Sequence, residues 1–185
     1  QAVTFDFHEV AFAVPRLAFS LTALGNGRLG AAVAWAMPLV LVKEDLGLTL
    51  AVIGALVAWR GARRLGVATA LGGVAACVLE VCVVIPAISP AGTDTYTGRL
   101  GLAAVSRLPT LLTNGTKLTT LVLVLLPTGL LALRSPILLV VAPTLAWRLL
   151  SDYPPYWGTA FHYSAVLMPV VFAALVDVLA RGLVG

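Results

Sequence analysis

Three short polar strings interrupt an otherwise apolar chain, and each holds residue types that bind or move charge. The first is Phe5-Asp6-Phe7-His8-Glu9. An imidazole beside a carboxylate offers a donor and acceptors near neutral pH, a set suited to a phosphate, a sugar hydroxyl or a metal ion. The plainer reading is a helix start, with Asp6 as N-cap, Glu9 three residues later favoured by the helix dipole, and Phe5 and Phe7 at a lipid interface. The second string is Lys43-Glu44-Asp45, set between Leu-Val and Leu-Gly-Leu. A solvated turn usually carries Gly, Pro, Asn or Ser, and none stands here. Charges close to lipid are costly, so these three are expected to face a protein interior or a water-filled cavity. Lys43 suits an anionic phosphate. Glu44 or Asp45 suits orienting that phosphate, accepting a sugar hydroxyl or ligating a cation, a divalent metal among them. The third string is Asp152-Tyr153-Pro154-Pro155-Tyr156-Trp157, followed by His162-Tyr163. Its aromatic residues read first as an interfacial belt. His162 stands at a helix start on the same expected side as His8 and Lys43, where a lone histidine is more often structural.

What must hold these strings is a bundle of helices in lipid. Of 185 residues, 60% are hydrophobic and 11% charged, with a mean hydropathy of +1.01, against about 45–50% apolar and about 25% charged in soluble domains. With lipid as solvent the backbone must satisfy itself, and the period-2 alternation of a membrane barrel is missing, which leaves an all-α polytopic transmembrane bundle. Apolar runs fall at about 10 to 25, 30 to 42, 46 to 59, 66 to 86, 118 to 133, 137 to 150 and 163 to 181. These are about seven hydrophobic segments, some short or broken. A net charge of +4 and a pI near 9.5 would suggest nucleic acid in a soluble protein. Here the arginines stand singly at the ends of apolar runs as topology signals, and no nucleic-acid partner is expected. Cys77 and Cys82 lie five residues apart in one run, on different helix faces, so neither a disulfide nor a metal site is expected. The chain opens on Gln1 with no signal peptide visible, and reads as a single transmembrane domain fragment, the C-terminal part of a longer protein.

Length and charge together set the sidedness. A spanning helix needs about 20 residues, whereas 13 or 14 rise only about 20 Å. Residues 30 to 59 therefore form either one tilted helix with Lys43, Glu44 and Asp45 at mid-membrane or two short helices meeting at those charges. Burying three adjacent charges costs about 2.5–3.5 kcal/mol each, which favours two helices. The dense basic cluster Arg60, Arg63 and Arg64 belongs inside. Alternation then brings Arg28, Arg134 and Arg181 inside as well. Residues 1–9, 43–45, 87–117 and 151–162 all fall on the extracytoplasmic side, and the long 87–117 loop has room for a short amphipathic helix around Leu100 to Leu112.

The remaining polar residues carry weaker signals. Glu80 lies inside a long span, where a carboxylate is a functional candidate unless neutral or paired, for example with Arg16. Asp177 and Arg181, four apart, suit a local ion pair. Asn114-Gly115-Thr116 fits a glycosylation acceptor pattern that is common by chance. No Walker A loop, zinc motif, nucleophile elbow or dinucleotide fingerprint is present, which removes most soluble-enzyme chemistries.

The string Phe5-Asp6-Phe7-His8-Glu9, then Leu41-Val42-Lys43-Glu44-Asp45-Leu46-Gly47-Leu48, Val84-Ile85-Pro86, and His162-Tyr163 before a Pro-containing helix resembles a prokaryotic family of polytopic membrane proteins catalogued as a domain of unknown function (number 2079). The resemblance covers essentially the whole chain. That family is in turn similar to the type C glycosyltransferases, which take a sugar from a polyprenyl-phosphate donor outside the cytoplasm. The resemblance implies a glycosyltransferase whose acidic base, in the first external loop, lies before Gln1, so that the fragment alone would be inactive. His8 and Glu9 would then line the site, with Lys43, Glu44 and Asp45 near the donor phosphate and His162 a further contact. Two alternatives stand beside it. One is a transporter or lipid-carrier flippase with a polar intramembrane site at Glu80; the other is a scaffold that binds partners without a reaction.

Overall fold

At Asn26-Gly27-Arg28, at Lys43-Glu44-Asp45 and at Arg60-Gly61 the chain reverses between apolar helices. The computed structural model describes residues 8–88, 106–159 and 162–184, without the side chains of 162, 183 and 184, and its regular structure is helical with no strand among the described residues. A 3-10 turn, Glu9–Phe12, leads into α1 (Ala13–Gly25). Leu17, Leu21 and Leu24 recur at spacings of four and three, share one face, and are buried there. Gly27 then takes φ +72°, a left-handed conformation that glycine adopts at little cost, and the chain turns back. In α2 (Leu29–Ala36) the carbonyl of Ala32 accepts a 2.8 Å hydrogen bond from Ser20 Oγ, tying the two helices. Pro38 brings no N–H to the ladder, and α2 tightens into a 3-10 stretch, Met37–Leu41. Residues 42–45 form a turn, and α3 (Leu46–Trp59) follows. Residues 30 to 59 are therefore two short helices meeting at the charges.

A third reversal at Gly61, φ +112°, opens α4 (Arg63–Leu79), which runs on through a π-helical turn, Glu80–Val84, to Ile85–Ile88. Together Arg63–Ile88 make 26 residues of mean hydropathy 2.3, long and apolar enough to cross a membrane. The apolar helices Leu29–Leu41, Leu46–Trp59, Gly115–Thr128 and Pro136–Leu150 are shorter. Glycines set how α4 meets α3. A Cβ on Gly47 would lie 2.7 Å from the Gly73 carbonyl oxygen, and one on Gly54 would lie 2.7 Å from that of Gly66 and 2.5 Å from the Ala70 nitrogen. Backbone thus rests on backbone, the close approach that small residues permit in lipid. The outer face of α4 carries Leu71, Val74, Val78 and Leu79, all exposed. A contiguous apolar face of this kind belongs against lipid.

The second half is more broken. Of the amphipathic stretch expected over 100–112, residues 106–112 are described, with a single helical turn at Thr110–Thr113; residues 100–105 lie outside the described set. The Asn114 side chain caps α5 (Gly115–Leu125), accepting from the N–H groups of Thr116 and Lys117. Its carbonyl therefore has a structural use within the acceptor pattern noted above. The apolar run expected over 118–133 does not continue as one segment. Pro127 removes a donor, and Gly129 and Leu130 both take left-handed φ values, +56° and +64°, so the helical path stops at Thr128. Two 3-10 stretches, Leu131–Arg134 and Pro136–Val141, lead into α6 (Ala142–Leu150), and α7 (Leu167–Val184) closes the described chain. The core gathers α1, α2, α3, the 136–141 stretch and α7 around Leu17, Leu39, Leu50, Ile53, Val140 and Val171.

These reversals sort the charges by end. At one end Arg60 donates to the Leu24 carbonyl and pairs with Asp177 at 3.7 Å. Arg181 pairs with the same carboxylate at 2.6 Å, and Ser135 Oγ donates to it at 2.5 Å. The expected local pair of Asp177 and Arg181 is thus part of a wider tie that joins α3, α7 and the 131–136 corner. The other end holds residues 8–9, the 42–45 turn and residues 151–159 and 162–164. Cys77 and Cys82 are free thiols, one buried and one exposed.

Candidate functional site

At this second end the first helical turn, the 42–45 turn, α6 and residues 151–159 and 163–166 close around one small cavity. Glu9, Lys43 and Asp45 line it, together with Thr144, Arg148, Tyr156 and Tyr163. Its volume is about 20 Å³, room for a water molecule. Lys43 Nζ lies 3.6 Å from Asp45 Oδ1, and 5.8 Å from the centre of the Tyr163 ring, within cation–π range. Tyr163 packs edge-on against Tyr156 at 5.0 Å, and Tyr156 against Tyr153 at the same separation.

Arg148 fixes the loop that forms the far wall. Its side chain is 2% exposed, and its guanidinium donates to the carbonyls of Tyr156 at 3.0 Å, Gly158 at 2.8 Å and Tyr163 at 3.2 Å, and to Ser164 Oγ at 3.4 Å. A planar fork of donors suits several carbonyls converging from one irregular loop. A second buried cation holds the loop from its other side. Lys117, 2% exposed, donates to Thr110 Oγ1 at 2.8 Å and lies 4.4 Å from the Trp157 ring centre, while Thr120 Oγ1 donates to the Trp157 carbonyl. The indole N–H of Trp157 donates in turn to the Ser151 carbonyl at 2.9 Å. Trp157 and Tyr156 are thus built into the loop, beyond the interfacial role expected of them.

The acidic side of the site is under-satisfied. Glu44 Oε1, Asp45 Oδ1 and Thr49 Oγ1 are buried and find no hydrogen-bond partner among the described residues. Lys43 stands just beyond hydrogen-bond reach of Asp45 Oδ1, a charge pairing without a hydrogen bond. Burial pushes the Glu44 carboxyl above its ordinary 4.5, against the pull of neighbouring Lys43. It pushes the Tyr163 hydroxyl up as well. Buried acceptors without partners are uncommon and mark places where a water, proton or polar ligand is held. No group of three or more His, Cys, Asp or Glu is arranged to hold a metal ion among the described residues.

Of the residues singled out by sequence, Glu9, Lys43 and Asp45 share the cavity. Glu44 is their neighbour in the turn, half-buried beside them. His8 precedes the first turn as its N-cap residue without a side-chain cap bond, and Asp6, the expected cap, lies outside the described residues. His162 begins the 3-10 turn His162–Ser164 that carries Tyr163; its side chain is outside the described set. Glu80 begins the π-helical turn of α4, where Glu44 and Asp45 are its electrostatic neighbours. Arg148 and Lys117 were not singled out. The available signal was their position: each is a cation within an apolar helix, directly next to a Tyr-, Pro- and Trp-rich loop or an Asn-capped start.

A family model described as "Predicted membrane protein (DUF2079)" matches residues 1–184. No curated protein and no solved structure matches the chain.

Proposed function

The chain belongs to the DUF2079 family of predicted membrane proteins, and from that premise we propose a multi-pass membrane glycosyltransferase of the type C class that takes a sugar from a polyprenyl-phosphate donor at the extracytoplasmic face. The observation that carries this reading is the convergence of Glu9, Lys43 and Asp45 on one cavity at the end away from the Arg60, Arg181 and Asp177 cluster. Transfer from a lipid phosphate needs a cation on the leaving phosphate and a carboxylate near the acceptor hydroxyl. Lys43 serves the first need at the cavity mouth, steered by Asp45 and by the face of Tyr163. Glu9 and Glu44 support the second. Because the cavity is water-sized, the sugar phosphate lies over the mouth, with Tyr156 and Tyr163 as an apolar platform beneath it.

The test is transfer from a labelled polyprenyl-phosphate sugar by the full-length protein. Lys43→Ala should cut turnover by about a hundredfold, the scale for losing a charge-stabilising donor. Turnover within twofold of wild type in a well-expressed variant would sink the role. Sidedness is checked separately, by single-cysteine labelling at positions 8, 44, 62 and 162 after replacing Cys77 and Cys82. The first, second and fourth should label from outside and 62 from inside; labelling of 8 and 44 from opposite sides would dismantle the shared cavity.

One observation favours a second reading, a lipid-carrier flippase or transporter. The π-helical turn begins at Glu80, beside the under-satisfied Glu44 and Asp45, and such turns recur at functional positions in helices. Glu80→Gln would then abolish flipping in vesicles while Lys43→Ala does little; the reverse pattern favours the enzyme.

A further inference from the structure

The arginine-rich end carries a feature that the cavity above does not use. A groove of about 350 Å³ runs between α1 and α7, from Ala18 and Pro169 at mid-bundle to Asn26, Asp177 and Ala180 at its mouth. Its walls are apolar, with Leu21, Ile137, Phe172 and Val176 among them, and its polar groups sit near the mouth. From Pro169 to Ala180 a helix rises about 16 Å, half of a hydrocarbon core about 30 Å thick. The groove is therefore as long as one leaflet is deep.

Basic residues adjoin the lining of the mouth along the chain. Arg28 lies two residues beyond Asn26, Arg134 three before Ile137, and Arg181 directly after Ala180. Arg181 reaches the Arg134 carbonyl at 3.4 Å, which brings the two corners together. Asp177 is the acidic residue at this mouth, and it is already shared between Arg60 and Arg181. Arg28 and Arg134 are exposed, and their guanidinium groups make no hydrogen bond or ion pair among the described residues. Basic pockets between membrane helices recognise anionic headgroups.

We infer that this groove binds an anionic glycerophospholipid of the basic-side leaflet, one acyl chain lying between α1 and α7 and its phosphate held by Arg28 and Arg134 at the rim. The apolar walls select a chain, and the rim charge selects the headgroup. A zwitterionic lipid would gain only the first interaction, and free glycerol phosphate only the second.

Native mass spectrometry of the full chain tests this by titration with dioleoylphosphatidylglycerol, dioleoylphosphatidylcholine and glycerol phosphate. Each arginine at a bilayer surface favours anionic lipid by about fivefold, so phosphatidylglycerol should bind about thirtyfold more tightly than phosphatidylcholine, with glycerol phosphate failing to compete. The surface variant R28Q/R134Q should bring the two lipids within about threefold of each other. Ala180→Phe, an exposed change at the groove mouth, should weaken both lipids while keeping their ratio. Equal affinities in the wild type, or an unchanged preference in R28Q/R134Q, overturns the inference. So does full displacement by glycerol phosphate, which would mark a headgroup site alone.

Discussion

Gly54→Leu should detach α4 from α3 and lower the stability of the bundle by about 3 kcal/mol or more, at the upper end of overpacking effects. A Cβ there would lie 2.5 Å from the Ala70 nitrogen and 2.7 Å from the Gly66 carbonyl oxygen. Both are backbone atoms of a helix and cannot rotate away as a side chain would. Leucine adds three more carbons in the same direction, so the helices must separate and forfeit the contacts made from Gly47 to Gly73. Gly72→Leu is the matched control. Gly72 is exposed on the outer face of α4, and a Cβ on it meets nothing within 4 Å. Its effect should stay within about 0.5 kcal/mol. Thermal melting of the two variants in detergent decides the matter, and equal midpoints would remove the glycine contact as the basis of the hairpin. The change should also reach the candidate site, because Lys43 and Asp45 stand at the α3 end of this pair.

The second large effect belongs to Arg148. Arg148→Met keeps much of the side-chain volume and removes every donor, leaving the carbonyls of the half-buried Tyr156, Gly158 and Tyr163 without the partner that the buried arginine gives them. Each unsatisfied group costs about 1–3 kcal/mol, and the loss should total about 3–5 kcal/mol. The damage should be local first. Amide hydrogen exchange over 151–159 and 163–164 should quicken strongly while α1 and α3 keep their protection. Arg148→Lys should rescue only part of this, since one ammonium cannot span carbonyls that the fork reaches from three nitrogens. Exchange in the loop unchanged by Arg148→Met would show that the loop is held from the Lys117 side alone.

Much of this architecture can be read from the chain because its turns are polar and its spans are not. Lys43-Glu44-Asp45 breaks a run that would otherwise pass for one long helix, and the cost of burying three charges is enough to choose a reversal. Charge alternation then sorts the expected ends, and in the structure Arg60 and Arg181 meet on Asp177 while Glu9, Lys43 and Asp45 line a separate cavity. The boundaries of α3 are those of its apolar run, residues 46 to 59. The break after Thr128 was visible in Leu-Pro-Thr-Gly, yet the leucines on both sides concealed it; hydropathy measures solvent preference and is blind to φ. Arg148 stayed hidden for a different reason. An arginine at the end of an apolar run is an ordinary topology signal, and only the folded loop shows three carbonyls converging on it. The glycine register was equally out of reach, since Gly47, Gly54, Gly66 and Gly73 acquire meaning only when α3 and α4 are laid side by side.

The hairpin of α3 and α4 also bears on the order of assembly. Its contacts join residues fewer than about forty positions apart, so the loop to be closed is short and the entropy lost in closing it is small. Because the contact is made by glycine backbone, almost no side-chain freedom has to be surrendered. The core around α1, by contrast, is completed by Ile137, Val140, Leu167 and Val171, more than a hundred positions downstream. During synthesis the hairpin can therefore close while the residues that complete the α1 core have yet to be made, and the turn bearing Lys43 and Asp45 is set before the wall that Arg148 holds arrives to meet it.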